Sequence, residues 1–416
     1  VVQEELVWEG SRTAILICDM WDNHTCIAAR ERVAEMVPTM NRLLEKARSA
    51  GVLVVHCPSD TMDFYEGWPQ RERAKTAPHS PLPTPDGWKH LSPQHEPEMP
   101  VDASGFACDS AIDGEPRRVW TRQIETLEVA DQDAISDSGQ EIHNLLTSRG
   151  IDRVLIMGVH TNLCVLGRPF GIRAMVLNGY EVALVRDLTD AMATPAQAPF
   201  VDHFRGNDLV IAHIESYWCP TVPSSSVTGE LPFVFQSDRR PRVGVIAHEE
   251  EYRTRETLPE LAESELAGQR GWHVEYLLGT APNFLSGLEV LPTLDVAILS
   301  VRRQVLPREQ MGAIRAYCES GKPLVGIRTA SHAFLLRNEE PPVGLEDWKS
   351  FDADLFGGNY TNHHGNKNPA DPRTEVWIDP ARKDHPILRG VPQESFETSS
   401  WLYKVLPLAE GTEVLL

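Results

Sequence analysis

Val154-Leu155-Ile156-Met157-Gly158-Val159-His160-Thr161-Asn162-Leu163-Cys164-Val165 is the stretch whose reading decides the fold of the first half of the chain. Its first six residues form a short, apolar, β-branched run ending at Val159, which reads as a buried strand. A helix-period stretch follows over Leu163–Asn178 and stops at Gly179, a residue suited to the left-handed end of a helix. A strand that runs straight into a helix, with a cysteine at the junction, is the core of a strand–helix unit.

The same rhythm extends outward on both sides. Strand-like runs are expected at Thr13–Cys18, Val52–Cys57, Arg118–Thr121, Val154–Val159, Glu181–Val185 and Leu209–Ala212. Helical patterns lie between them at Val33–Ala50, Ser138–Arg149 and Leu163–Asn178, with Gly51 and Gly150 as further stops. Alternation of this kind implies a parallel sheet covered by helices on both faces. Residues 58–116 break the rhythm: they are rich in proline and polar residues and lack a period. A connection this long is either a lid over a site or a surface insertion that pads the edge.

From Thr221 to Arg240 the composition turns to Pro, Ser and Thr, then ends in Asp-Arg-Arg-Pro-Arg, which reads as a linker. A second alternating series begins near Pro241, with strands at Val243–Ala247, Val274–Leu278, Val296–Ser300 and Leu324–Ile327. Helical stretches at Thr257–Gln269 and Arg308–Ser320 separate them. The expected organisation is therefore a first α/β domain over 1–222, a linker over 223–240, and a second α/β domain over 241–416.

The 416 residues are enough for two sizeable cores, and 41% hydrophobic with 24% charged residues is ordinary for a globular protein. With 39 basic against 60 acidic residues the formal charge is -21. Such a surface repels phosphate backbones and anionic lipid, so neither nucleic acid nor a membrane is expected as a partner. No apolar run approaches the roughly 20 residues of a membrane span. The N-terminus shows no basic stretch followed by an apolar one, so a cytoplasmic location is expected. The seven cysteines include no C-x-x-C pair. Their odd number and apolar settings suggest a reduced protein of free thiols.

Open parallel sheets carry their sites at the carboxyl ends of the strands. Asp19 follows the first expected strand, Arg122 the third and Cys164 the fourth. A cysteine at the start of a helix has its pKa lowered by the helix dipole, and a nearby cation lowers it further. A carboxylate can take the thiol proton and later return it to a leaving amine. Each residue alone has a bland reading, as a buried structural thiol or a helix cap. It is the order acid, cation, cysteine along one sheet that points to acyl transfer. Trp21, His24 and Asp60 are placed to line the pocket. Arg168, on the helix behind Cys164, reads better as a structural residue buried against an acid across a subunit boundary than as a ligand to a substrate carboxylate.

The run from Gly158 to Val165 resembles the nucleophile motif of the isochorismatase-like cysteine hydrolases. Ile15-Leu16-Ile17-Cys18-Asp19-Met20 is similar to that family's first strand and catalytic aspartate. The resemblance covers about residues 8 to 220. It implies a doubly wound six-stranded sheet, an acid–lysine–cysteine triad, a cis peptide at Val159–His160, an oxyanion hole from the amides of His160 and Cys164, and assembly into a homo-oligomer. The implied activity is hydrolysis of a small amide or carbamoyl substrate without a cofactor. Two departures stand out. Arg122 occupies the lysine's expected place, and arginine cannot relay a proton. Met62 replaces the histidine that nicotinamidases use for metal, so no metal is expected.

Residues 242–416 resemble the ThuA-like domains of trehalose-utilisation proteins, which share a flavodoxin-like, class I glutamine-amidotransferase-like fold. The matching pieces include Gly244-Val245-Ile246-Ala247-His248 and Gly326-Ile327-Arg328-Thr329-Ala330-Ser331-His332. Arg328 stands where the amidotransferases have their nucleophile, which excludes glutaminase chemistry. What the resemblance implies is a sugar or keto-sugar pocket with His248, Tyr252, Arg328 and His332. The chain stops at Leu416, which leaves room for a missing last strand. Two alternatives to the hydrolase stay open: a sugar-metabolism enzyme working in the second domain beside an inactive first one, and a non-catalytic binding or scaffold protein. Arg122 paired with another acid, away from Cys164, would favour the former.

Overall fold

The computed structural model describes residues 2–115, 117–364, 373–398 and 402–416. The chain divides into two compact units, one spanning Glu5–Arg240 and the other Pro241–Leu416 together with the first four residues.

In the first unit six strands form one parallel sheet: β1 (Thr13–Cys18), β2 (Leu53–Cys57), β3 (Ala134–Ile135), β4 (Arg153–Val159), β5 (Glu181–Asp190) and β6 (Thr221–Val222). Their order is β3-β2-β1-β4-β5-β6, with every neighbouring pair parallel. This is a doubly wound α/β sheet, as expected. Its strand order reverses between β1 and β4, which opens a crevice outside their carboxyl ends.

Alternation along the strands builds a core on each face. From β1, Ala14, Leu16 and Cys18 enter one cluster with Val154 and Ile156 of β4. Ile15 and Ile17 enter the other with Leu155, Met157 and Val159. Both sets are buried because helices cover both faces, which is why the strands read as continuous apolar runs. The helices are α1 (Ile27–Ser49), α2 (Pro69–Lys75), α3 (Gly139–Ser148), α4 (Ile172–Leu177), α5 (His203–Tyr217) and the short α6 (Ser225–Thr228). A single π-turn, Thr161–Val165, lies between β4 and α4 and carries Cys164.

Four expectations are corrected here. Arg118–Thr121 forms no strand; the third strand is the two-residue β3, which follows a much longer excursion. Leu209–Ala212 lies inside α5, because Asp202 caps the backbone amides of Phe204 and Arg205 and starts a helix that runs through the apolar stretch. The stretch 223–240 is not a free linker. Phe235 enters the core, and Asp187 accepts hydrogen bonds from the amides of Ser224 and Phe233 at 2.7 Å each. Finally, Cys26 and Cys108 form a disulfide, so the reading of seven free thiols fails for that pair; the bond ties residues 103–112 to the entrance of α1.

The second unit holds a five-stranded sheet, in the order β12-β10-β7-β8-β9. The strands are β7 (Arg242–His248), β8 (His273–Ala281), β9 (Phe284–Leu285), β10 (Val296–Val301) and β12 (Leu324–Gly326). The short β11 (Leu306–Pro307) pairs outside it with Leu345–Glu346. All pairs in the main sheet are parallel except β8 with β9. Helices α7 (Thr254–Leu261) and α8 (Arg308–Glu319) follow β7 and β11. No helix among the described residues is long and apolar enough to cross a membrane.

Candidate active site

The crevice between β1 and β4 brings Asp19 and Cys164 together. Asp19 follows β1 directly, fully buried and with a left-handed backbone (φ 48°). Its amide donates to Cys57 O at 3.1 Å, which pins the turn to β2. On the neighbouring strand Gly158 adopts φ 112°. A Cβ there would fall 2.1 Å from Cys18 O, so only glycine lets the two strand ends meet this closely. The Val159–His160 peptide that follows is cis.

Asp19 is held on three sides. Its Oδ1 accepts the Ser59 amide at 2.8 Å, its Oδ2 accepts Arg168 Nε at 3.0 Å, and the Cys164 thiol interacts with it as a donor. Burial raises the carboxyl above its usual range, and Arg168, Cys164 and Ser59 oppose that rise. Burial also pushes the Cys164 thiol well up, and the Asp19 charge adds to it, against the pull of Arg168 and the His160 amide. Both shifts favour the protonated thiol of Cys164, with the Asp19 carboxyl as its neighbour. The expected helix-start thiolate does not form, because desolvation outweighs the dipole of one short turn.

The cation of this site is not the expected one. Arg122 ion-pairs with Glu125 at 3.0 Å and lies 5.3 Å from the centre of the Phe64 ring. It follows no strand, so nothing carries its side chain into the crevice. Arg168 takes the role instead, spanning Asp19 and, at 3.3 Å, Asp60 Oδ2. Arg168 was expected to be buried against an acid of another subunit; its partner here is Asp19 of the same chain. Its signal was its position, four residues after Cys164, which puts both on one helical face.

Above this pair lies a cavity of about 280 Å³ lined by Trp21, His24, Trp88, Phe106, Trp120, His160, Leu163, Met192, Cys164, Arg168 and two alanines. Trp21 stacks on Trp120 with ring centres 4.0 Å apart, and its indole N–H donates to Ser59 O at 3.1 Å. His24 accepts the Cys26 amide at 3.1 Å and meets His160 edge-on at 5.2 Å. His160 is 3% exposed, and burial and the neighbouring His24 lower its pKa to about 3. Neither of its ring nitrogens, nor Trp120 Nε1, has a hydrogen-bond partner among the described residues. Of the sequence candidates, Trp21, His24, His160 and Cys164 thus line the cavity, and Asp60 joins it through Arg168.

Trp88, Ala103, Phe106 and Ala107, all from the 58–116 insertion, form one wall of this cavity. Trp88 fits because Gly167 has no side chain: a Cβ there would lie 2.5 Å from the indole. The disulfide at Cys108 anchors the same wall. Sequence reasoning missed Trp88 and Phe106, because an aperiodic insertion gives no clue to which of its aromatics turn inward, and it also missed Trp120 and Met192, which lie outside that insertion.

Behind the cavity, Asp190 is fully buried between His203 Nε2 at 2.7 Å and Arg32 Nε at 2.8 Å. Burial would raise its pKa, but these two cations hold it well below the carboxylate range. Arg32 also grips Asp109 beside the disulfide, at 2.9 and 3.0 Å.

In the second unit Tyr252, Arg328 and His332 gather around Tyr403, which packs on the Arg328 guanidinium and on the His332 ring. His248 does not join them through a hydrogen bond; its Nε2 bonds Ala281 O at 3.0 Å.

Residues 128–214 match the family model described as the isochorismatase domain. Among curated proteins, none matches the chain. Solved structures similar to it include a cysteine hydrolase from Pseudomonas syringae pv. phaseolicola 1448A, at 19% identity and a TM-score of 0.34, covering 55% of this chain and 97% of that one. Another is an N-carbamoylsarcosine amidase from Thermoplasma acidophilum, at 15% identity and a TM-score of 0.25, covering 43% and 84%. A putative ThuA-like protein from Bacteroides uniformis ATCC 8492 is 18% identical at a TM-score of 0.30, covering 42% and 65%. Likenesses of this strength carry no weight for function, which has to be argued from the site.

Proposed function

We propose that the first unit hydrolyses a carbon–nitrogen bond, amide or carbamoyl, of a small molecule through a thioester on Cys164. The observation that carries this reading is a buried thiol beside a buried carboxylate, with the His160 amide facing the sulfur, at the floor of a cavity able to hold a small molecule.

Asp19 removes the thiol proton as sulfur attacks the carbonyl carbon. The oxyanion that develops is met by backbone N–H groups of His160 and Cys164, which are worth most in a site that excludes water. As the tetrahedral intermediate collapses, Asp19 returns the proton to the departing nitrogen and an amine or ammonia leaves. Asp19 then takes a proton from water as it attacks the thioester, releasing the acid and restoring the thiol. Arg168 moves no proton; it keeps Asp19 able to ionise in a site that otherwise disfavours charge. The aromatic walls suit a substrate with a flat or apolar acyl part, and the His160 ring and Trp120 N–H are free to fix its polar edge. No organic cofactor enters these steps.

The pairing of Arg122 with Glu125 is the feature that would favour an inactive first unit. That inference assumed that no other cation reaches the nucleophile, and Arg168 supplies one.

The test is acylation by an activated ester. Incubation with p-nitrophenyl acetate, followed by acid quench and intact mass, is expected to show one acetyl group on Cys164. A screen of aryl amides and N-carbamoyl compounds for ammonia release follows, with Cys164→Ala inactive in both assays. Equal turnover by Cys164→Ala, or no acylation of Cys164 while the half-buried Cys318 reacts, would sink the proposal.

A further inference from the structure

The carboxyl edge of the second unit's sheet carries Glu249, Glu250 and Glu251 after β7 and a group of arginines after β10 and β12. Strands β7 and β10 are neighbours although β8 lies between them in sequence, so a crevice opens outside their ends. Arg302 and Arg303 follow β10 directly, and Arg328 follows β12. Arg303 and Arg328 both have left-handed backbones, φ 51° and 45°, a conformation uncommon for a long side chain.

The Arg328 guanidinium lies 4.5 Å from the centre of the Tyr252 ring and 5.2 Å from that of Tyr403. It donates to Tyr252 Oη at 3.2 Å, while its Nε is buried with no hydrogen-bond partner among the described residues. A buried guanidinium N–H left unmatched is costly. His332 is 6% exposed, with its ring 4.6 Å from Tyr360. Burial together with Arg303, Arg302, Arg337 and Arg328 keeps it neutral, with a pKa of about 3. Arg302 is matched by Glu251 at 2.8 Å, and Tyr252 Oη also donates to that carboxylate at 3.3 Å. Arg303, Arg328 and Arg337 form no ion pair among the described residues.

We infer that this group is a binding site for the anionic end, phosphate monoester or carboxylate, of a small polar molecule, held by Arg303 and Arg328. Planar guanidinium forks fit either oxyanion in pairs of parallel hydrogen bonds. The Tyr252 and Tyr403 rings fix the direction of the Arg328 fork, and the neutral His332 ring and Tyr360 flank the place where the rest of the ligand would sit. A neutral sugar, the ligand suggested by resemblance, leaves Arg303 and Arg328 without a counter-charge among the described residues.

The test uses the full chain at low ionic strength, titrated by calorimetry with glucose 6-phosphate, gluconate and glucose. One or both anions are expected to bind and glucose to bind at least about tenfold more weakly, the worth of a charge-assisted hydrogen bond. Preference for glucose 6-phosphate assigns the site to phosphate, and preference for gluconate assigns it to carboxylate. Arg328→Met is expected to weaken the bound anion about tenfold or more, and Arg302→Met, already matched by Glu251, less than about threefold. Arg328→Lys keeps the charge without the fork and serves if Arg328→Met fails to fold by circular dichroism. The His332 ring signal, assigned by its loss in His332→Asn, should shift on anion binding. Glucose binding as tightly as the anions, no anion binding at millimolar concentration, or binding indifferent to Arg328 and Arg303 would each overturn the inference.

Discussion

Replacing Arg168 by methionine keeps most of the side chain's length and removes the charge that faces Asp19. The guanidinium nitrogen lies 3.0 Å from Asp19 Oδ2, with the carboxylate fully buried and the arginine 18% exposed. Coulomb attraction at that distance is about 5 kcal/mol at an effective dielectric of ~20. Deleting one partner of a buried pair costs about 3–5 kcal/mol in practice. Because the Ser59 amide still holds Oδ1, the lower end applies: about 3 kcal/mol, with the Asp19 carboxyl driven further up. A carboxyl whose folded pKa lies above its unfolded one is best tolerated when protonated. The variant's deficit should thus be small below about pH 4, grow as pH rises through the window up to the raised folded value, and be complete above it. Denaturant unfolding followed by tryptophan fluorescence across that range measures the deficit, and Asp19→Asn in the same background should remove most of it. A deficit at pH 7 under about 0.5 kcal/mol, or one indifferent to Asp19→Asn, refutes the account of Arg168 as the partner that allows Asp19 to ionise.

Three further outcomes are expected. His160, with its pKa near 3, should show no ring titration by NMR between pH 5 and 9 and so oppose folding only in acid; its stability contribution is intact above about pH 6.5 and is lost as pH falls. Reduction of Cys26–Cys108 should speed limited proteolysis between residues 103 and 113 and weaken binding of cavity ligands, and Cys108→Ser should do the same without reductant. Gly158→Ala should destabilise the chain by at least about 2 kcal/mol, because its Cβ meets Cys18 O; it should also lower the rate of Cys164 acylation, whereas Gly179→Ala, with open space around it, should leave that rate unchanged.

The parts of the site legible in the sequence are those tied to regular structure. Asp19 and Cys164 follow long strands whose apolar runs are unmistakable, and a parallel sheet brings such strand ends to one edge. The cation was harder to see because the run Val119–Thr121 looks like a strand and Ala134–Ile135 is too short to show any period. Leu209–Ala212 misled for a related reason: a four-residue apolar run with Val210 and Ile211 at its centre fits a strand locally, and the cap at Asp202, seven residues upstream, reveals the helix. The aromatic wall was out of reach, since Trp88 and Phe106 are placed by an irregular chain path and by the disulfide.

That wall has a consequence for how this unit could change its substrate. The groups that would make and break bonds belong to the edge of the sheet and its first turn, where almost any alteration disturbs the core. One wall of the surface that would choose what enters comes from residues 58–116, outside the sheet and anchored to it by a disulfide and the grip of Arg32 on Asp109. That wall could be rewritten while the groups that would react stay in place.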